Sequence, residues 1–390
     1  MRHRAALPSA PEQGNSHRVS LGMGVPNSRP RAGQQRDRLS TMPILAPPSP
    51  GHTVAARISA IATHLPDTVL DNDTLAADFP TWPAEKIMDK TGILQRRIAG
   101  PQETALDLGC AAAAKLLAGG DIQPEDVDFL LFCTQAPDHI LPTSACIMQD
   151  RLGLPRHIGA LDFNLGCSGY VYGLSLAAGL IASGAARRIL LVTADTYSKY
   201  IHPRDKSVRT LFGDGAAATL IEAAPDGTAG IGPFVFGTDG SGAESLIVKA
   251  GGFRHPCSPD TAVEKEDRAG NIRSDNNLYM DGGAVMSFTL REVPRAFRQL
   301  LDKSGTTMDH HDYIVLHQAN KFMLDALQKK LDLPNDKVPR QFEEIGNTVS
   351  STIPFVLAGL MEDGKLDAGV RIMVIGFGVG LSWAAATITM

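Results

Sequence analysis

Cys167 stands in Asn164-Leu165-Gly166-Cys167-Ser168-Gly169, between a stretch that reads as a strand, 160–164, and one that reads as a helix, 169–183. A helix N-terminus carries partial positive charge and free N–H groups. Both favour a thiolate, so a cysteine there can be nucleophilic with a lowered pKa. Gly166 and Gly169 allow a sharp turn and close approach of a ligand. The competing reading is a small buried thiol, the usual fate of cysteine. His317, in Leu316-His317-Gln318-Ala319-Asn320, follows an apolar strand and opens a helix. Its neutral ring could hand a hydrogen bond from Nε2 to a developing oxyanion, or it could be a satisfied core histidine. Asn347, in Gly346-Asn347-Thr348-Val349-Ser350-Ser351, reads equally well as a cap of the helix that follows. Gly376-Phe377-Gly378-Val379-Gly380-Leu381-Ser382-Trp383 joins two apolar strands. A Gly-rich turn beside a reactive cysteine could expose a backbone N–H to an oxyanion. Gly213-Asp214-Gly215 reads as a structural turn, and neither glycine cluster matches a Walker A or dinucleotide fingerprint.

The elements that must position these groups alternate in type. The first half reads as strand 57–63, helix 103–117, strand 128–133, helix 144–152, strand 160–164, helix 169–183 and strand 189–194. The second reads as helix 290–303, strand 313–316, helix 321–331, a helix ending at 360, and strands 371–375 and 384–389. This is an α/β pattern. The second half also echoes the first. FNLGCSGYVYGLSLAAGLIASG (163–184) lines up with FEEIGNTVSSTIPFVLAGLMEDG (342–364), and an offset of 180 places Cys167 on Asn347. DFLLFCT (128–134) resembles DYIVLHQ (312–318), which sets Cys133 opposite His317. Two matches in one order at nearly one offset indicate a duplication. If the halves pack about a pseudo-twofold axis, Cys167 faces Asn347 and His317 arrives beside them.

The bulk properties narrow the class. The 390 residues are 43% hydrophobic and 20% charged, with a formal net charge of -5. That suffices for a sizeable core and lacks the basic excess of a nucleic-acid binder. The five cysteines form no CxxC pair, so no metal site, no cofactor and no disulfide is expected, in keeping with a reducing, cytoplasmic compartment. No apolar run approaches the ~20 residues of a membrane helix. Residues 1–53 hold seven Arg, no Lys and no aromatic residue. They read as a disordered extension, with Met42 a plausible true start. The globular part divides into a nucleophile-bearing half, 54–225, and a half bearing His and Asn, 226–390.

From about Arg57 to Met390 the sequence resembles the β-ketoacyl-acyl carrier protein synthase III family of the thiolase superfamily. The resemblance rests on TGILQRRI (91–98), the Cys167 segment, FGDGAAA (212–218), LHQAN (316–320), GNTVSSTIP (346–354) and GFGVGLSW (376–383), in the family's order. It implies a thiolase-like α/β fold of two pseudo-symmetric halves in five layers, α-β-α-β-α, assembled as a homodimer. It carries the family's triad onto Cys167, His317 and Asn347, with backbone N–H groups of Cys167 and Val379 as oxyanion hole. The implied reaction is ping-pong. Cys167 takes an acyl group from an acyl-CoA or acyl-carrier thioester, and malonyl-acyl carrier protein is decarboxylated and condensed with it.

Substrate-binding positions fall on Leu141, Lys206 and Phe212, and carrier-docking positions on Gln318, Lys321, Lys329 and Lys330. Members that use acetyl-CoA sandwich the adenine between Trp and Arg. Here Lys86 and Lys206 hold those places, and Trp82 lies four residues before Lys86. With Leu141 at a gate position that is often Phe, the resemblance implies primers longer than acetyl. Residues 251–277 resemble the lid-like insert of branches outside primary fatty-acid synthesis. Two other readings use the same residues: acyl transfer to another carbon, oxygen or nitrogen nucleophile in secondary-metabolite or polysaccharide synthesis, and a cysteine hydrolase with Cys-His-Asn in papain-like order.

Overall fold

The computed structural model describes residues 54–120, 122–224 and 230–390, and the expectation of disorder for 1–53 lies outside them. The first half opens with β1 (Ala56–His64), β2 (Thr68–Asp71), α1 (Asn72–Asp78), α2 (Ala84–Thr91) and β3 (Gln95–Ile98). It continues with α3 (Ala105–Ala118), β4 (Phe129–Cys133), α4 (Ser144–Arg151), β5 (Gly159–Phe163) and α5 (Gly169–Ala182). β6 (Arg188–Asp195), the short α6 (Lys206–Arg209) and β7 (Gly215–Ala223) complete it. The second half opens with β8 (Ile231–Thr238), β9 (Leu246–Val248), β10 (Lys265–Glu266), β11 (Ile272–Arg273) and β12 (Leu278–Met280). Then come α7 (Gly282–Ser304), β13 (Tyr313–Leu316), α8 (Lys321–Leu331), α9 (Thr352–Glu362), β14 (Arg371–Gly378) and β15 (Ser382–Thr389).

Two main sheets form, in the orders β1-β7-β6-β4-β5 and β13-β14-β15-β8. They correspond strand for strand. β1-β7-β6-β4 and β8-β15-β14-β13 share two antiparallel pairings followed by a parallel one, and β5 is an addition to the first sheet. The duplication read from the sequence is therefore a duplication of structure. The parallel strands β4 and β13 are continuous apolar runs because helices cover both their faces.

The layer between the sheets is made by α5 and α9, each of which packs on strands of both. Their apolar residues, Val171, Leu174 and Ile181 with Ile353, Val356 and Leu357, join one core cluster with Leu131, Ile189, Val315 and Val374. Each such side chain contributes about 1.5–3 kcal/mol on burial. α3 covers the outer face of the first sheet, starting at a capping box between Thr104 and Asp107. α7 covers the outer face of the second, with α8 packed against it. The result is five layers, α-β-α-β-α. Among the described residues no helix is long and apolar enough to cross a membrane.

Candidate active site

Cys167 lies in the connection from β5 to α5, two residues before the helix begins, and is 5% exposed. The end of β14 passes against it. A Cβ built on Gly378 would sit 2.8 Å from Cys167 Sγ, and one on Gly376 would sit 2.6 Å from the Cys167 carbonyl oxygen. Only glycine allows this approach. Burial pushes the Cys167 thiol up to about 12, and the nearby Asp195 carboxylate adds to the effect. Hydrogen bonding from the backbone N–H groups of Cys167 and Val379 works the other way and does not overcome it. Burial thus opposes the lowered thiol pKa that a helix N-terminus would give.

His317 follows β13 and is 2% exposed. It does not open a helix, since α8 starts at Lys321, capped by Asn320. Burial pushes the His317 ring down to about 3, so it is neutral at physiological pH. Nδ1 lies 2.7 Å from Thr352 Oγ1, and the ring meets the edge of Phe377. The Thr352 hydroxyl also lies 3.3 Å from the Val349 carbonyl oxygen. It can donate to Nδ1, or accept from it while donating to Val349. Both neutral tautomers are thereby supported, and Nε2 can act as donor or acceptor.

Asn347 is 4% exposed, and its Oδ1 accepts the Val349 N–H at 2.9 Å. This closes a turn in which Val349, a β-branched residue, adopts φ +56. The carboxamide NH2 stays available. Asn347 does not cap the following helix, whose cap position is Ser351. Its backbone bonds to Leu211 O and Gly213 N, so the FGDG segment of the first half holds the GN segment of the second. Gly213 passes so close that a Cβ would collide with the Ile345 carbonyl.

Cys167, His317 and Asn347 line one cavity of about 290 Å³. Phe212, Leu246, Met280, Val285 and Met323 make its wall largely apolar, and the 66%-exposed Phe322 with Trp82 and Lys90 marks its mouth. Other residues singled out in the sequence lie elsewhere. Lys206 donates to Ala269 O and Asn271 Oδ1, and so pins the insert to α6. Arg273 of the insert reinforces this through Asp205 at 2.6 Å. Leu141 is 80% exposed and lies outside this cavity. Lys321, Lys329 and Lys330 are exposed on α8.

Gln318 is 1% exposed, with its amide bonded to Leu316 O and Gln341 N. It therefore leaves the docking set, because a buried and fully engaged side chain cannot meet another protein. Thr352 was not singled out, although the Ser/Thr-rich run 350–352 beside Asn347 was a signal. Asp195 lies one residue beyond the strand that the sequence predicts, 189–194, so nothing in the sequence marks it as buried.

A duplicated five-layered α/β fold, with cysteine, histidine and asparagine buried where its halves meet, defines a protein of the thiolase-like class. The family model for 3-oxoacyl-[acyl-carrier-protein] synthase III matches residues 161–240, and that for its C-terminal part matches 301–390. The β-ketoacyl-[acyl-carrier-protein] synthase III of Caldanaerobacter subterraneus is 35% identical over 335 residues, 86% of this chain and 98% of its own. The chain belongs to the β-ketoacyl-[acyl-carrier-protein] synthase III family. The enzyme of that name from Chlamydia caviae is 34% identical over 333 residues, 85% of this chain and 96% of its own. A crystal structure of a 3-oxoacyl-(acyl-carrier-protein) synthase III is 60% identical with a TM-score of 0.85, covering 86% of this chain and 100% of the other. A 3-oxoacyl-(acyl-carrier protein) synthase from Burkholderia xenovorans is 40% identical with a TM-score of 0.80, covering 87% of this chain and 95% of its own.

Proposed function

We propose that this enzyme condenses an acyl thioester primer with malonyl-acyl carrier protein through an acyl group carried on Cys167. The observation that carries the reading is the convergence of Cys167, His317 and Asn347 from both halves on one apolar cavity. The Cys167 sulfur attacks the primer carbonyl as its proton passes to His317 Nε2. The proton then leaves on the departing thiol, and a Cys167 thioester remains. The N–H groups of Cys167 and Val379 hold the carbonyl oxygen as it becomes negative. Malonyl-acyl carrier protein then enters. Loss of carbon dioxide leaves an enolate, whose oxygen accepts from the Asn347 amide and from His317 Nε2–H, once the ring has exchanged its Nδ1 proton for one on Nε2 and the Thr352 hydroxyl donates to Nδ1. Neutral donors suit this step, because an acid would quench the carbanion. Each is worth roughly 3–4 kcal/mol of barrier. The carbanion carbon attacks the acyl-Cys167 carbonyl, the C–S bond breaks with Cys167 leaving as a thiolate that regains its proton from solvent, and a β-ketoacyl thioester is released.

The primer is longer than acetyl, and we place the reaction in the cytoplasm. The length of the primer rests on Leu141, smaller than the Phe common at the gate position. Lys206, committed to the insert, and Lys86, 5.2 Å over the Trp82 ring, have no planar guanidinium to stack on the adenine of a CoA donor. Intact mass spectrometry after incubation with a panel of acyl-CoA and acyl-carrier thioesters tests both claims. Medium-chain adducts should form on the native protein and vanish in Cys167→Ala, but persist in Cys133→Ala. Loading that survives in Cys167→Ala, or occurs with acetyl alone, would refute the corresponding claim.

A homodimer fits the same surface. β5 is an unpaired sheet edge, and Leu161 on it, Leu176 and Phe236 are 37%, 42% and 44% exposed. Exposed edges of this kind are covered in stable proteins. In a dimer the exposed Leu141 would reach the partner's cavity. Sedimentation equilibrium at micromolar concentration should give twice the chain mass, and a monomer would remove this assignment.

A further inference from the structure

Asp195 ends β6 and has no exposed surface. The titratable groups that face it are Cys167, Cys133, Tyr197, Tyr200 and Asp214, none of them cationic. A carboxylate buried without a cation is costly, and persists only where its oxygens are well satisfied. Here the two oxygens bind different halves of the molecule. Oδ1 accepts the Gln135 N–H at 2.8 Å. Oδ2 accepts the Ser350 hydroxyl at 2.5 Å, with the Ser350 N–H at 3.4 Å.

Both partners lead to the site. Gln135 follows β4, and its amide bonds to Tyr197 and to Asn164 of the Cys167 loop. It also packs against Gly166, where a Cβ would lie 2.6 Å from Gln135 Oε1. Ser350 belongs to the turn that presents Asn347, directly after Val349 with its φ of +56. Backbone strain of that kind persists only where the surroundings hold it. The neighbouring Ser351 is tied to the first half as well, through Thr193 at 2.9 Å.

We propose that Asp195 is a positioning residue for the condensation step, fixing the Asn347 turn of one half against the Cys167 loop of the other. The inference rests on the role proposed for Asn347. It does not make Asp195 a proton carrier. Without the anchor, the turn can relax and carry the Asn347 carboxamide away from the enolate oxygen. A misplacement of about 1 Å can cost ~10²-fold in rate.

The test uses the full-length enzyme with Asp195→Asn, which keeps the shape but cannot accept on both sides. Carbon dioxide release from malonyl-acyl carrier protein, single-turnover loading of Cys167, and both Michaelis constants are measured. Decarboxylation should fall roughly 10–100-fold, while loading and both constants change by less than about threefold. Asp195→Asn combined with Asn347→Ala should be no slower than Asn347→Ala alone, because both act through one carboxamide. Should Asp195→Asn not fold, Ser350→Ala cuts only the link to the turn and should show the same bias. Unchanged decarboxylation overturns the proposal, as do equal losses in loading and decarboxylation with additive double-mutant effects. Failure of the underlying reading shows separately, as an Asn347→Ala enzyme that still decarboxylates normally.

Discussion

Burial acts in opposite directions on the two groups that must exchange a proton. It pushes the Cys167 thiol up to about 12 and the His317 ring down to about 3. At neutral pH the resting pair is therefore thiol and imidazole, not thiolate and imidazolium. This favours donation to an enolate over general-acid chemistry. The consequence is measurable as the pH dependence of Cys167 alkylation by iodoacetamide. Because the thiol's pKa is raised, its thiolate fraction should keep rising with pH. The rate should climb about tenfold per pH unit through pH 9 without a plateau. A plateau near pH 7 would mean that the helix N-terminus and backbone donors prevail over desolvation. The sequence disclosed Cys167, His317 and Asn347 through type, spacing and internal duplication. It did not disclose the sign of the thiol shift, because sequence shows the helix start that lowers a pKa but not the depth of burial that raises it.

At the scale of elements, glycines decide how closely the second half approaches the nucleophile. The run Gly376–Gly380 read as a turn, with the preceding strand ending at 375. In the structure β14 continues to Gly378. The glycines serve strand backbone packed directly on Cys167 rather than turn geometry alone. Gly378→Ala would place a methyl group 2.8 Å from Cys167 Sγ. Loading of Cys167 should then fall by more than tenfold, with the melting temperature lowered by a few degrees, as expected for a crowded core position. Intact mass spectrometry and thermal unfolding measure the two effects, and normal loading would show that the sulfur has room to spare. α7 is longer than the helix 290–303 that the sequence predicts. It begins at Gly282, capped by Asp281, and contains Pro294. Its start at Gly282 and Gly283 hides two helical turns from any reading by propensity, whereas Pro294 lies inside the part that was legible. β7 escaped notice because Ala216, Ala217 and Ala218 are buried without alternation, leaving no period to detect.

For the whole molecule, duplication explains why chemistry gathers where it does. Topologically equivalent points bear Cys167 and Asn347, and each half supplies what the other lacks. That much was legible, since the matching segments kept their order and offset. The asymmetric parts were legible only as segments, a strand at 160–164 and an insert at 251–277, because the insert pinned by Lys206 and the extra strand β5 have no counterpart in the other half that would show how they pack. We propose one helix, α8, as the docking element for a carrier protein. α8 begins beside the cavity mouth with exposed Phe322 and ends with Lys329 and Lys330, roughly 11 Å further along at 1.5 Å per residue. A pantetheine arm that enters past Phe322 would set its acidic carrier over this helix. Lys321 contributes less, because Asp325 takes its ammonium at 2.6 Å. The lysine pair at the helix end also complements the helix dipole, but that role does not depend on a partner. Replacing Lys329 and Lys330 with Glu should raise the Michaelis constant for malonyl-acyl carrier protein about tenfold, through reversed charge at the contact. Loading of Cys167 from a small CoA thioester should change by less than about twofold, since no carrier body is present. The same constant for the unaltered enzyme should worsen as salt is raised from 0.1 M to 1 M, where the screening length falls from about 10 Å to about 3 Å. If the double variant and high salt both leave carrier-dependent rates unchanged, the carrier docks on another face.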